Sequence, residues 1–181
     1  VGAGMVGCCV ARLLAGIPGC QVTLVDVDPG RAAIARALGV RFAEPGQIGG
    51  EHEIVVHTSA TAAGLRTCLD LLPPDTAVLE LSWYGEGEIG IPLGAAFHSR
   101  RLGIRASQVG SVSPARRGTR THRDRLALAL ALLQDPAYDC LLDSSSDFAE
   151  LPAVLPDLVR SGGLCHVVEY PAERAVEEGG T

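Results

Sequence analysis

Lysine and asparagine are absent from this sequence, so all fifteen basic residues are arginine. The pattern fits a coding bias toward Ala, Arg, Gly and Pro and carries no functional weight. Aromatic residues make up only 4% of the chain, and none is interleaved with the arginines that gather between His98 and Arg125. A surface that stacks nucleic-acid bases needs such rings beside its cations, and a net charge of -6 removes any general attraction to polyanions. Nucleic acid and anionic membrane are therefore not expected partners. No apolar run approaches the roughly 20 residues that cross a bilayer, and no signal peptide opens the chain; a cytoplasmic protein is expected. Six cysteines, Cys8, Cys9, Cys20, Cys68, Cys140 and Cys165, form no CxxC and no Cys/His cluster at metal-ligand spacing. They read as small buried residues, and no metal site is expected from this chain alone. An initiating Met is also missing, and the chain opens on what reads as the end of a strand. A fragment lacking most of its first strand is the expectation.

What the sequence does have is a glycine turn. Val1-Gly2-Ala3-Gly4-Met5-Val6-Gly7 is followed nineteen residues later by Asp26, which closes the apolar run Val22-Thr23-Leu24-Val25. In a dinucleotide-binding turn Gly2 lets the chain leave its strand tightly, Gly4 removes the Cβ that would block a pyrophosphate, and Gly7 lets the next helix pack on the sheet. Main-chain N–H groups at that helix start, left unpaired within the helix, attract the anion. The glycines alone are compatible with a mere strand-to-helix turn. The helix-length run Met5 to Ala15, the stop at Gly16-Ile17-Pro18-Gly19 and the acid at ribose spacing favour a bound dinucleotide.

Read in order, the chain alternates strands and helices. Strands are predicted over 21–27, 40–43, 53–58, 77–82, 102–108 and 164–170, with a short edge strand at Glu88 to Ile91. Helices are predicted from Asp28-Pro29 with Asp28 as N-cap, from Ser59 or Thr61 to Leu72, from a capping box at Thr121 and Asp124 to Gln134, and beyond a second capping box at Asp147 and Glu150. In that last helix Pro152 is tolerated near the start and Pro156 is expected to kink or break it. The alternation predicts an α/β fold, a doubly wound, mostly parallel Rossmann sheet of about six strands with helices on both faces. Residues 1–170 form one dinucleotide-binding domain in this reading, and 171–181 a disordered acidic tail. Ligands of such sheets bind beyond the carboxyl ends of the strands, which gathers Asp26, Thr58, Ser59, Ser82 and Trp83 around one crevice.

In this order and at these spacings the chain resembles the cofactor-binding half of the zinc-type medium-chain alcohol dehydrogenase family. The markers are Gly2-Ala3-Gly4-Met5-Val6-Gly7, Val25-Asp26-Val27-Asp28 with Arg31, the helix end Ala37-Leu38-Gly39, Thr58-Ser59-Ala60 and Ser107-Gln108-Val109-Gly110. The resemblance implies an NAD-dependent oxidoreductase that transfers hydride between nicotinamide and a small alcohol or carbonyl substrate, with zinc held only by a half absent from this sequence. It implies that Met5 and Val6 hold the pyrophosphate beside Gly2, Gly4 and Gly7, and that Asp26 and Arg31 hold the adenosine ribose. Thr58 and Ser59 would contact the middle of the cofactor, and Leu81, Ser82, Gln108 and Val109 its nicotinamide end. Where family members carry an arginine for the pyrophosphate, this chain has Cys165-His166. A homodimer or higher oligomer is expected, paired through Glu88 to Ile91. A stand-alone NAD-binding regulatory module and a zinc-free relative of quinone reductases remain alternatives.

Other residues carry weaker signals. His57 precedes the crevice, where it is either a proton-transfer group or, as expected, a hydrogen-bonded structural residue. The segment from His98 to Arg125 holds eight arginines, two histidines and one acid, Asp124; it is either a solvated loop or an anion site. Cys8 and Cys9 are expected to pack rather than react. Trp83 and Tyr84 line a substrate pocket or cap the sheet edge.

Overall fold

A computed structural model of the chain describes residues 1–94 and 96–171. The chain divides into two compact units, Val1–Cys140 and Leu141–Thr181. The first contains α1 (Met5–Ala15), β1 (Thr23–Val25), α2 (Arg31–Ala37), β2 (Arg41–Ala43), β3 (Val56–His57), α3 (Ala62–Asp70), β4 (Ala77–Glu80), α4 (Ala96–Ser99), β5 (Gly103–Ala106) and α5 (His122–Leu132). The second contains β6 (Leu142–Asp147), α6 (Leu151–Ser161) and β7 (Cys165–Glu169). Every strand pairing is parallel: β1 with β2, β4 with both β3 and β5, and β6 with β7.

Residues 1 and 2 join the first two of these sheets. Gly2 N–H donates to Val25 O at 2.7 Å on one side, while on the other Val1 N donates to Val56 O at 2.6 Å and Thr58 N–H to Val1 O at 2.8 Å. The hydrogen-bonded order across the first unit is therefore β2, β1, Val1–Gly2, β3, β4, β5. Each strand is shorter than its apolar run. Hydrophobicity marks burial on the sheet faces, whereas the ladder ends where neighbouring chains diverge toward their helices.

Helix boundaries follow local chemistry. Thr61 Oγ1 accepts from Gly64 N–H at 3.0 Å to start α3, and Thr121 and Asp124 form the full capping box of α5. Gly39, at φ +74°, turns the chain after α2 into β2. One expected cap is formed ahead of its helix and one is not. Asp28 Oδ1 accepts from Gly30 N–H at 2.8 Å and Asp28 O from Arg31 N–H at 3.1 Å, a capped turn that leads into α2 at Arg31. Asp147 leads into a 3-10 turn, Phe148–Glu150, and caps no helix. Pro152 sits in the first turn of α6 as expected, but Pro156 does not end the helix, which runs on to Ser161.

The predicted edge strand Glu88–Ile91 is irregular chain. Gly87, Gly90 and Pro92 interrupt any ladder, and Ile89 and Ile91 turn inward onto a cluster made by Val55, Leu65, Cys68, Leu69, Leu71, Leu72, Val78 and Leu102. It offers no strand for sheet-to-sheet pairing. Conversely, β6 forms where no strand is predicted, from Leu142-Asp-Ser-Ser-Ser-Asp147. No helix among the described residues is long and apolar enough to cross a membrane. Of the predicted acidic tail, all but Pro171 lies outside the described residues.

Leu72 and Val78 are fully buried where α3 covers β3 and β4. Leu72→Ala is expected to lower unfolding free energy by about 3 kcal/mol through lost transfer energy and residual cavity, read as a lower urea midpoint at unchanged slope.

Candidate functional site

The glycine turn is built by close approach on two sides and open space on the third. Gly2 has φ +104°, and a Cβ there would lie 2.6 Å from Ser59 N. A Cβ on Gly7 would sit 1.9 Å from Gly2 O, so α1 packs on the turn only because Gly7 lacks one. A Cβ on Gly4 would meet nothing within 4 Å. Gly4 is the N-cap of α1, with no side-chain cap and no acid in the first turn, and Cys8 N–H is the first to bond back, to Gly4 O at 2.9 Å. The amides ahead of it are those a helix leaves without an internal partner, and the helix dipole makes that end positive. A hollow bordered by such amides suits a pyrophosphate.

Asp26 stands immediately after β1 and is already engaged: Oδ2 accepts from Ala3 N–H at 2.6 Å and Oδ1 from Asp28 N–H at 2.9 Å. Each carboxylate oxygen retains acceptor capacity for a further donor. Arg31 pairs with Asp28 at 3.3 Å, which places it at the same end of the sheet. Thr58 Oγ1 lies 3.0 Å from Val1 O and 2.8 Å from Gly2 O, so its one proton is shared between the carbonyls of the seam.

Beyond the ends of β3 and β4 lies a polar cluster. His57 and Glu80 are register partners on adjacent parallel strands, so their side chains share a face, and both are buried. His57 Nδ1 is 2.7 Å from Glu80 Oε2 and Nε2 is 2.7 Å from Ser59 Oγ. A carboxylate partner assigns the Nδ1 proton to the Glu80 side, which leaves Nε2 of the neutral ring to accept from Ser59. Tyr84 OH donates to Glu80 Oε2 at 3.0 Å, Ser82 N–H donates to Oε1 at 2.7 Å, and Ala60 N–H donates to Ser82 Oγ at 3.1 Å. Ala60 is held at φ +51° between two of these contacts. Burial alone would raise the Glu80 carboxyl, but the hydrogen bonds from His57 and Ser82 prevail and hold it below its ordinary value. Burial, with the facing Glu80 carboxylate, pushes the Tyr84 phenol up to about 12.

Of the residues expected at the cofactor, Gly2, Gly7, Thr58 and Ser59 meet at one seam, with Gly4, Met5 and Val6 opening the helix beside it. Leu81 continues the ladder by donating to His57 O at 3.0 Å, and Ser107 N–H donates to Glu80 O at 2.8 Å, so Ser82, Gln108 and Val109 leave the sheet at the same edge. Trp83 and Val109 are exposed there, at 83% and 80%. A cavity of about 730 Å³ lies instead at the opposite, amino ends of β1 and β2, between Gln21 and Phe42. Glu80 was not among the expected residues, because it hides inside the apolar run Ala77 to Leu81 and only strand register sets it against His57.

The cysteines divide. Cys8 and Cys68 are buried, and burial pushes their thiols up to about 11 and about 12, so both stay protonated. Cys9, Cys140 and Cys165 are half-buried, and Cys20, just past the turn at Gly19, is exposed rather than buried. In the second unit His166 bridges Ser144 and Ser146 at 2.8 and 2.9 Å across the β6–β7 pair. Among the described residues no group of three His, Cys, Asp or Glu side chains is placed to hold a metal ion.

No protein-family model and no curated protein matches the sequence. Solved structures do match the fold, several dehydrogenases among them. A zinc-binding-domain alcohol dehydrogenase from Burkholderia ambifaria superposes with a TM-score of 0.70 at 17% identity, over 94% of this chain and 47% of that one. For 2R,3R-butanediol dehydrogenase from Bacillus subtilis the values are 0.69, 14%, 93% and 49%. For YhdH of Escherichia coli K-12, solved with bound NADPH, they are 0.63, 18%, 92% and 51%. The chain thus shares its fold with these proteins and spans about half of their length.

Above the ordinary carboxylate value, near 4.3, the depressed Glu80 contributes its full stabilisation, and that contribution is lost as pH falls through the folded value. Urea unfolding of parent and Glu80→Gln is expected to show a constant gap from about pH 7 to 5 that narrows below about pH 4.

Proposed function

We propose that this chain is the cofactor-binding part of a dehydrogenase that exchanges hydride between a nicotinamide cofactor and a small alcohol or carbonyl compound. The observation that carries the proposal is the open space at Gly4, set between an uncapped helix start and the fixed carboxylate of Asp26. In this reading residues 1–170 act as one Rossmann domain, with a doubly wound sheet continuing through Val1–Gly2. The amides of Met5 and Val6 hold the pyrophosphate, Asp26 and Arg31 face the adenosine ribose, and Thr58 and Ser59 border the middle of the cofactor. Leu81, Ser82, Gln108 and Val109 form the nicotinamide end. The cofactor supplies the hydride acceptor, and this chain binds and orients it. A zinc ion polarising the substrate oxygen belongs, by resemblance, to the half of the enzyme outside this sequence.

His57, Glu80 and Tyr84 act here as a support. They lock the turn Thr58–Thr61 and the segment after β4 against each other, which fixes Ser59 and Ser82 before any ligand arrives. Gly4→Ala tests the cradle directly, because its Cβ has room in the folded chain but enters the space assigned to the pyrophosphate. Stability is expected to change by about 1 kcal/mol or less, while NADH affinity, followed by fluorescence, falls roughly tenfold or more. An unchanged affinity would remove the cofactor from this turn.

NAD is the cofactor we infer. A 2′-phosphate beside Asp26 meets like charge, and at about 4 Å with an effective dielectric near 20 the repulsion is roughly 4 kcal/mol, more than two decades in affinity. Asp28 adds to it, and Arg31, paired with Asp28, offsets only part. NADH is expected to bind at least about tenfold tighter than NADPH, with Asp26→Ser narrowing the difference. Equal affinities in the parent would show that Asp26 does not face the ribose.

A further inference from the structure

The arginine-rich segment after β5 is not used by the cofactor reading, and it folds into a cavity of its own. Val109 O and Ser111 O both accept from Arg125 Nη1 at 3.1 Å, Gly110 O contacts His122 Nε2 at 3.1 Å, and Val112 O accepts from Arg117 Nε at 3.1 Å. Val112, buried at 8% exposure, anchors the loop. These ties wrap residues 109–122 around a space of about 470 Å³ lined by Gly110, Ser111, Val112, Arg117, Arg120 and His122 together with Thr121. That volume suits a small molecule.

Its electrostatics are one-sided. Five arginines lie between residues 116 and 125 against one acid, Asp124, whose Oδ2 is taken by Thr121 N and Oγ1 at 2.8 Å each. Among the described residues the side chains of Arg116, Arg120 and Arg123 make no hydrogen bond or ion pair, and Arg117 uses only Nε. Two arginines line the concavity, Arg117, which leaves its Nη groups without a hydrogen bond, and Arg120, whose charge also acts on Asp124, and none of the lining residues is an acid. A pair of guanidinium groups matches a phosphate dianion, which accepts paired N–H donors from more than one side. The α5 start adds little, since Thr121 and Asp124 already cap it.

The cofactor's own phosphates are poorly placed to be that anion. The glycine turn follows Val1–Gly2, and β5 lies three strand positions away, about 14 Å at the usual spacing. What the loop does adjoin is Gln108–Val109, the nicotinamide end in the proposed function.

We propose that this cavity binds the phosphate group of a phosphomonoester substrate, Arg117 and Arg120 gripping it so that the substrate's alcohol or carbonyl carbon reaches the nicotinamide. The substrate role rests on the dehydrogenase reading; the anion site does not. Calorimetric titration of the 181-residue chain with inorganic phosphate, glycerol 3-phosphate, glycerol and NADH separates the two. Both phosphates are expected to bind saturably and glycerol not at all. Arg117→Ala with Arg120→Ala is expected to weaken phosphate roughly tenfold or more and to leave NADH unchanged, while Arg66→Ala, an exposed arginine elsewhere, changes neither. The proposal falls if the double variant binds phosphate as tightly as the parent, or if NADH displaces the phosphate in the parent but not in Gly4→Ala, which would put the anion in the glycine turn. Phosphate binding without NADH binding would overturn the dehydrogenase reading and leave the anion site standing.

Discussion

The two peptide units of Val1 and Gly2 are the constraint on which the first unit depends. Among the described residues they alone hydrogen-bond β1 on one side and β3 on the other, and through them the β1–β2 pair meets the β3–β4–β5 sheet. The same residues receive the Thr58 hydroxyl, back onto Gly7 and bring the start of α1 to the end of β1. At Gly2 and Gly7 a side chain is excluded by neighbouring backbone, and at Gly4 by nothing in the chain itself. Fold accounts for the first two glycines, and the third borders open space, which the proposed function assigns to the pyrophosphate.

Much of this was legible in the sequence where local chemistry decides structure. The cap of α3, open in the sequence between Ser59 and Thr61 and taken by Thr61, the Thr121–Asp124 capping box and Gly39 each act within a few residues of themselves. Failures came where distant chain decides. Leu142 to Asp147 carries five polar residues and no alternation that marks a strand, yet β7 supplies a ladder and His166, which bonds two of its serines. Glu88 to Ile91 has strand-like composition, but its isoleucines find more apolar contact on the core than a sheet edge would give them. The pairing of His57 with Glu80 depends on register between two strands twenty-three residues apart, which a sequence does not display.

The carboxyl edge of the sheet is electrically graded. Asp26 and Asp28 stand at its β1 end, the buried Glu80 carboxylate, hydrogen-bonded to His57, Ser82 and Tyr84, at its middle, and the arginines of the loop after β5 at the other end. Anionic groups on a ligand lying along this edge are therefore sorted by position: repelled beside β1, except at the amides of α1, and attracted beyond β5. A chain with net charge -6 gathers five of its fifteen arginines between residues 116 and 125.

The grip of Ala3 and Asp28 on the Asp26 carboxylate has a consequence for selectivity as such. A mobile acid relieves a clash by turning aside, and the discrimination it exerts is capped by the small cost of that rotation. Asp26 can turn aside only by giving up two backbone hydrogen bonds, each worth about 1 kcal/mol or more to a charged acceptor. Its charge therefore behaves as part of the wall, and its stiffness is set at folding, in part by the amide of the glycine turn itself.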